Sequence, residues 1–212
     1  MSFTFPVDEN HNKENNEYYR DGRRLKTSGI VFSVLLLIAA GVLLWLGSAG
    51  WTLYLAIFLI VVGVFYLFVS VKLGSAVTAP QQLYDESPLC PAVIAEVEPR
   101  TMTLMALVDT RKDQNWGTPQ RALTLRTVTK VSGVPRRRGA RVPAVAVGGN
   151  HQENSASFDQ VTPVPIAWGT RDTKVVREAE RTIAHADWML LQNNLDRVPD
   201  IRATKHDLLI ID

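Results

Sequence analysis

The stretch that decides the architecture is Thr27–Val71, TSGIVFSVLLLIAAGVLLWLGSAGWTLYLAIFLIVVGVFYLFVSV, which carries no Asp, Glu, Lys, Arg or His over 45 residues. A spanning helix needs about 20 apolar residues, so the run is too long for one crossing and right for two. Gly47-Ser48-Ala49-Gly50 divides it. The expected helices run from Ser28 to Leu46 and from Trp51 to Val71. Trp45, Trp51 and Tyr54 gather around the dividing turn, where amphipathic rings favour the lipid–water interface. A wholly soluble globule is excluded.

Working outward, Arg20, Arg23, Arg24 and Lys26 precede the first span and Lys72 follows the second, while the turn carries no charge. The preference of Lys and Arg for the inner side predicts a multi-pass protein of the cell (inner) membrane with both termini cytoplasmic. The polar leader and the length of the first apolar stretch exceed the dimensions of a cleaved signal peptide. Small residues recur every seventh position, at Ser33, Ala40 and Gly47 and at Ala56, Gly63 and Ser70. Folding about the turn predicts a helix–helix seam that pairs Gly47 with Ala56, Ala40 with Gly63 and Ser33 with Ser70. With no ionisable group in the spans, a proton or ion pathway through them is discounted.

The flanks divide as follows. Residues 1–26 read as a polar cytoplasmic tail too hydrophilic to build a core, unless a partner orders it through Phe3, Phe5, Tyr18 and Tyr19. Residues 27–72 are the hairpin, and residues 73–89, with Gly74, Pro80 and Pro88, read as a linker. Residues 90–212 hold a soluble domain. Runs of β character at Pro91–Glu98, Thr101–Thr110, Gln120–Val131, Arg141–Val147 and Val161–Trp168 alternate with turn residues. Five strands without intervening helices predict a small antiparallel β-barrel, SH3-like or of the oligonucleotide-binding (OB-like) type. The fold class is therefore a membrane α-hairpin plus a soluble α+β domain. A helix is expected over 172–193 with Val176, Ala179, Ile183, Ala186 and Leu190 on one stripe. The apolar run Leu208-Leu209-Ile210-Ile211 is expected to add a strand or cover the edge.

The chemistry offers little to an enzyme. There is no nucleophile elbow, phosphate loop, dinucleotide fingerprint or zincin motif. His11, His151, His185 and His206 are isolated, and Cys90 before Pro91 reads as a small buried side chain. No catalytic residue, cofactor or metal is expected. The strongest surface signal is Arg136-Arg137-Arg138 with Arg141, a set suited to anionic headgroups or a partner. Trp116, in a polar loop beside Gly117, is a further candidate contact. Nucleic acid is not an expected partner, because the strands lack an aromatic stacking platform and the net charge is only +2. Trp168 and Trp188 are assigned to the junction of barrel and helix.

Ile166-Ala167-Trp168-Gly169, Asp187-Trp188-Met189-Leu190-Leu191 and Asn194-Leu195-Asp196 resemble an actinobacterial family of membrane proteins whose C-terminal β-rich domain has no assigned function. The resemblance covers roughly residues 90–212 and carries over no catalytic residue. It implies hosts in the cell membrane such as the respiratory chain or cell-envelope machinery. The layout is also similar to NfeD-type scaffold proteins. The expected function is a non-enzymatic accessory or scaffold protein contacting membrane lipids and a membrane-protein complex or further copies of itself. The alternatives are a membrane-bound enzyme acting on a lipid or envelope precursor, which would gather Asp109, Arg111, His151 or His206 in a pocket, and a homo-oligomeric channel.

Overall fold

The computed structural model describes residues 3–47, 50–75, 79–112, 118–149 and 155–211. It divides into two compact units, Glu17–Thr78 and a second formed by Met1–Asn16 together with Ala79–Asp212. In chain order the helices and first strands are α1 (Glu9–Asn15), α2 (Glu17–Leu46), α3 (Trp51–Ser75), α4 (Pro80–Glu86), β1 (Leu89–Val97), β2 (Met102–Asp109) and β3 (Arg121–Val128). There follow β4 (Arg141–Gly148), β5 (Val161–Pro165), α5 (Ile166–Gly169), α6 (Thr173–Thr182), α7 (His185–Asn193), α8 (Val198–Arg202) and β6 (Leu208–Ile210).

The first unit is the hairpin α2–α3. Lys26–Leu46 and Trp51–Lys72 are long and apolar enough to cross a membrane. Leu35, Phe58 and Phe65 stand 58%, 61% and 61% exposed, facing away from the neighbouring helix. Water disfavours such surface by about 25 cal/mol per Å², whereas hydrocarbon accepts it.

The small residues of the expected seam pack between the two helices, with neighbours that the seven-residue spacing did not name. Ser33, Ala40, Ala56, Gly63 and Ser70 are buried. However, a Cβ on Gly29 would meet Ser70 Oγ at 2.1 Å, and one on Gly63 would meet Leu37 Cγ at 3.2 Å and Leu36 Cβ at 3.4 Å. Gly29 therefore lies against Ser70, and Gly63 receives Leu36 and Leu37. At Gly63 small faces large, a knob filling a hole and gaining dispersion contacts, whereas Gly29 and Ser70 bring two small residues into close approach. Gly47 has no part in this contact. It follows the last residue of α2 with φ +125° and is exposed at the turn.

The second unit is built on one antiparallel sheet in the order β5-β4-β1-β2-β3-β6. A register shift between Ile94 and Glu96 bends β1, and bulges of this kind increase local twist. The sheet curls into a half-barrel, so that Thr124 Oγ1 on β3 donates to the Val161 carbonyl on β5 at 2.9 Å and Arg126 donates to the Pro163 carbonyl at 3.1 Å. β2 is buried at every position but its last. One of its faces looks into the curl. The other packs through Met105 and Leu107 against Trp188, Leu191, Val198 and Ile201 of α7 and α8. The run Leu208–Ile210 pairs with β3 as an edge strand.

Several boundaries differ from the sequence reading. The strand expected to reach Trp168 ends at Pro165, and Ile166–Gly169 form a single helical turn that buries Trp168. The helix expected over 172–193 breaks after Thr182, where Ile183 and Ala184 are extended. The break lets Ile183 enter the core and turns α7 so that Trp188 and Leu191 are buried there with Leu190 packed beside them, while Ala186 is exposed. The linker over 73–89 contains α4, which starts with Pro80 at its first turn and buries Leu83 and Tyr84.

Residues 3–16 are part of the domain rather than a solvated tail. Phe5 is buried with its ring centroid 5.1 Å from that of Tyr84. Asp8 N–H donates to the Gly169 carbonyl, and Gln81 accepts from Val7 N–H and donates to the Phe5 carbonyl, each at 2.9 Å. A Cβ on Gly169 would meet Tyr84 at 2.8 Å and Phe5 at 2.9 Å, so glycine alone admits both rings.

Candidate functional site

The arginine run sits in the loop between β3 and β4. This loop turns at Gly133 and Gly139, whose φ values of +75° and +82° suit residues without a Cβ. Its members divide into held and free. Arg136 donates to the Glu98 and Thr101 carbonyls at 2.5 and 3.0 Å and so ties the loop to the β1–β2 turn. Arg138 reaches Asp196 at 2.5 Å, and Arg141 reaches Glu180 at 3.5 Å while its guanidinium lies 5.2 Å from the Trp188 ring centroid. Among the described residues, the Arg137 side chain has no ion pair or hydrogen bond. Trp116 and His151 lie outside the described residues.

Arg137 borders two open grooves. One, of about 810 Å³, also takes in Glu96, Glu98, Asp196 and Arg202, so its charges are mixed; Arg202 there pairs with Glu96. The other, of about 500 Å³, lies between the loop and α6, with Val134, Pro135 and Val176 as apolar walls and Arg137 and Arg177 as cations. It continues past Arg141 into a space of about 470 Å³ that adds Arg181 and His185. Arg177 and Arg181 are exposed one turn apart on α6, an i,i+4 relation that puts both on one face. Among the described residues the one carboxylate on this second path, Glu180, is engaged by Arg141. The sequence reading singled out neither Arg177 nor Arg181 as a contact residue. Only the fold shows that their face adjoins the arginine loop.

The polar groups considered for catalysis are not gathered in one described pocket. Asp109 binds Arg111 at 2.6 Å and accepts from the Arg111 and Gln120 backbone N–H groups, bracing the β2–β3 loop. Burial works to raise its pKa, but the bonds from Arg111 and Gln120 outweigh it and hold the carboxyl below 3.8. His206 is exposed in a left-handed turn. Cys90 is buried in β1, and burial pushes its thiol up to about 12. Among the described residues, no group of three or more His, Cys, Asp or Glu is placed to hold a metal ion.

The docked N-terminal segment carries its own polar cluster. His11 Nε2 contacts the Ala167 carbonyl at 3.0 Å, and its Nδ1 accepts from Arg171 Nε at 3.2 Å. The Nε2–H tautomer satisfies both contacts. Asp8 caps α1 and is held below its ordinary value chiefly by the His11 N–H, with Arg171 adding attraction.

Residues 75–199 match a family described as a protein of unknown function, DUF3239. The chain belongs to that family. A crystal structure of a candidate membrane protein from Corynebacterium diphtheriae, an actinobacterium, is 44% identical to this chain. The alignment covers 58% of this chain and all of the other, with a TM-score of 0.56. The actinobacterial resemblance read from the Trp168 and Trp188 motifs thus stands. None of the curated proteins matches the chain.

Proposed function

We propose that this family member is a non-enzymatic, membrane-anchored accessory or scaffold protein that offers its half-barrel to a larger membrane complex. The hairpin crosses the cell membrane twice, and the folded domain stands on the cytoplasmic side. The observation that carries this reading is the interruption of one compact body by the hairpin. Residues 1–16 and 79–212 form a single unit, and one folded unit occupies one compartment. Both ends of the hairpin then share a side, and the cations at those ends against an uncharged turn favour the inner one. The curled sheet suits an SH3-like or OB-like interaction module, with Arg136, Arg137, Arg138, Arg141 and Trp116 contributing to its contact with headgroups or a partner.

The test is extraction of native membranes in mild detergent followed by native mass spectrometry of the tagged chain. A defined assembly containing the chain and a membrane partner is expected. A strictly monomeric chain after gentle extraction would refute the role.

A further inference from the structure

We infer that the groove between α6 and the Pro135–Arg141 loop is a binding site for the headgroup of an anionic phospholipid, held by Arg137, Arg177 and Arg181. The inference rests on the membrane-anchored reading above. It deepens that reading by moving the headgroup contact away from the arginine run as a whole, whose other members are held by Glu98, Thr101, Asp196 and Glu180.

Three observations converge. First, among the described residues Arg137, Arg177 and Arg181 have no internal counter-ion, and the only carboxylate lining their groove is already paired. A guanidinium presents a planar fork of donors that matches phosphate oxygens. Second, Val134, Pro135 and Val176 line the same groove, an apolar wall suited to a glycerol backbone beside a phosphate. Third, the occupant is at hand. The groove belongs to the same chain as two helices long and apolar enough to cross a membrane. A chain anchored in this way has headgroup phosphates beside every copy of itself, whereas an acidic protein would have to be recruited.

The test uses the full chain in nanodiscs of phosphatidylglycerol or of phosphatidylcholine, read by amide hydrogen exchange of residues 132–141 and 173–182. A cation near an anionic surface contributes about 5-fold to the docked population. Exchange in both segments is therefore expected to slow at least about 10-fold in phosphatidylglycerol. R177Q or R181Q, at exposed helical positions, should each reverse the slowing by about 5-fold, and R137Q/R177Q/R181Q should abolish it. R100Q, which removes the same charge outside the groove, should change it less than about 2-fold. Equal exchange in the two lipids overturns the inference. So does equal protection in phosphatidylcholine on adding inorganic phosphate, which would make the ligand a soluble anion, and so does protection that appears only with a partner protein bound. Lipid-independent exchange alongside an intact co-purified assembly would remove this site and leave the accessory role standing. The converse result would do the opposite.

Discussion

Replacing Phe5 with Ala should release the N-terminal segment while leaving the half-barrel folded. The Phe5 ring is 5% exposed and fills the space between Tyr84 and Gly169. Truncating a buried phenylalanine costs about 3–5 kcal/mol, and the lower figure applies where a surface segment can relax into the gap. The remaining attachments are polar: hydrogen bonds, including Asp8 N–H to Gly169, the Gln81 pair and His11 to Ala167, and exposed ion pairs from Arg171 to Asp8 and Glu14. Each is worth about 1 kcal/mol net, so they cannot replace the ring. A loss of about 3 kcal/mol raises the opening constant of the segment on the order of 100-fold. Amide exchange of the full chain in detergent reads this directly. Residues 11–16 should exchange on the order of 100-fold faster, while β2, whose core runs through Met105, Leu107, Trp188 and Leu191, should keep its wild-type rate. Unchanged exchange over residues 11–16 would show that the segment is not held by this contact.

Three further outcomes follow from the same contacts. Asp109→Asn should lower stability at neutral pH by about 1–2 kcal/mol by removing charge-assisted bonds to Arg111. Because the folded carboxyl titrates below 3.8, that stabilisation is complete above the unfolded value and disappears as pH falls through the folded one. The melting temperatures of wild type and variant should therefore converge as the pH falls below 3.8 and through the folded carboxyl's lowered range, and a constant difference would contradict the assignment. Cys90, buried with its thiol pushed up to about 12, should resist maleimide in the native chain and react on denaturation; rapid native labelling would count against its burial. Gly63→Leu places a side chain where a Cβ already meets Leu37 at 3.2 Å. Disulfide cross-linking of a Gly29→Cys/Ser70→Cys pair should fall sharply in that background, and undiminished cross-linking would refute the observed packing.

The hairpin and the strands were legible because their signals are local. Forty-five uncharged residues require lipid or burial, and the strand runs bounded by Gly, Pro and Asn match β1 to β4 to within about three residues. The final apolar run was legible as an added strand for the same reason. What escaped reading depends on partners distant in sequence. Phe3–Asn16 is too polar to form a core, and nothing within it announces that Gly169 leaves room for Phe5 beside Tyr84. The break at Ile183 has no glycine or proline to mark it, since burial of Ile183 decides it. In the hairpin, the seven-residue spacing picked out the buried small residues but neither Gly29 beside Ser70 nor the leucines that pack against Gly63. The groove was hidden for a related reason. Arg136 and Arg138 look free in one dimension and are held in three, while Arg177 and Arg181 look like an ordinary solvated face.

The central claim is that one folded body is interrupted by a membrane hairpin, and cysteine accessibility in sealed membrane vesicles tests it most directly. In a background where Cys90 stays inert, Asn10→Cys, Ala49→Cys and Lys205→Cys are probed with a membrane-impermeant maleimide. The account predicts that positions 10 and 205 label from the same, cytoplasmic face and position 49 only from the other. Labelling of 10 and 205 from opposite faces would contradict it.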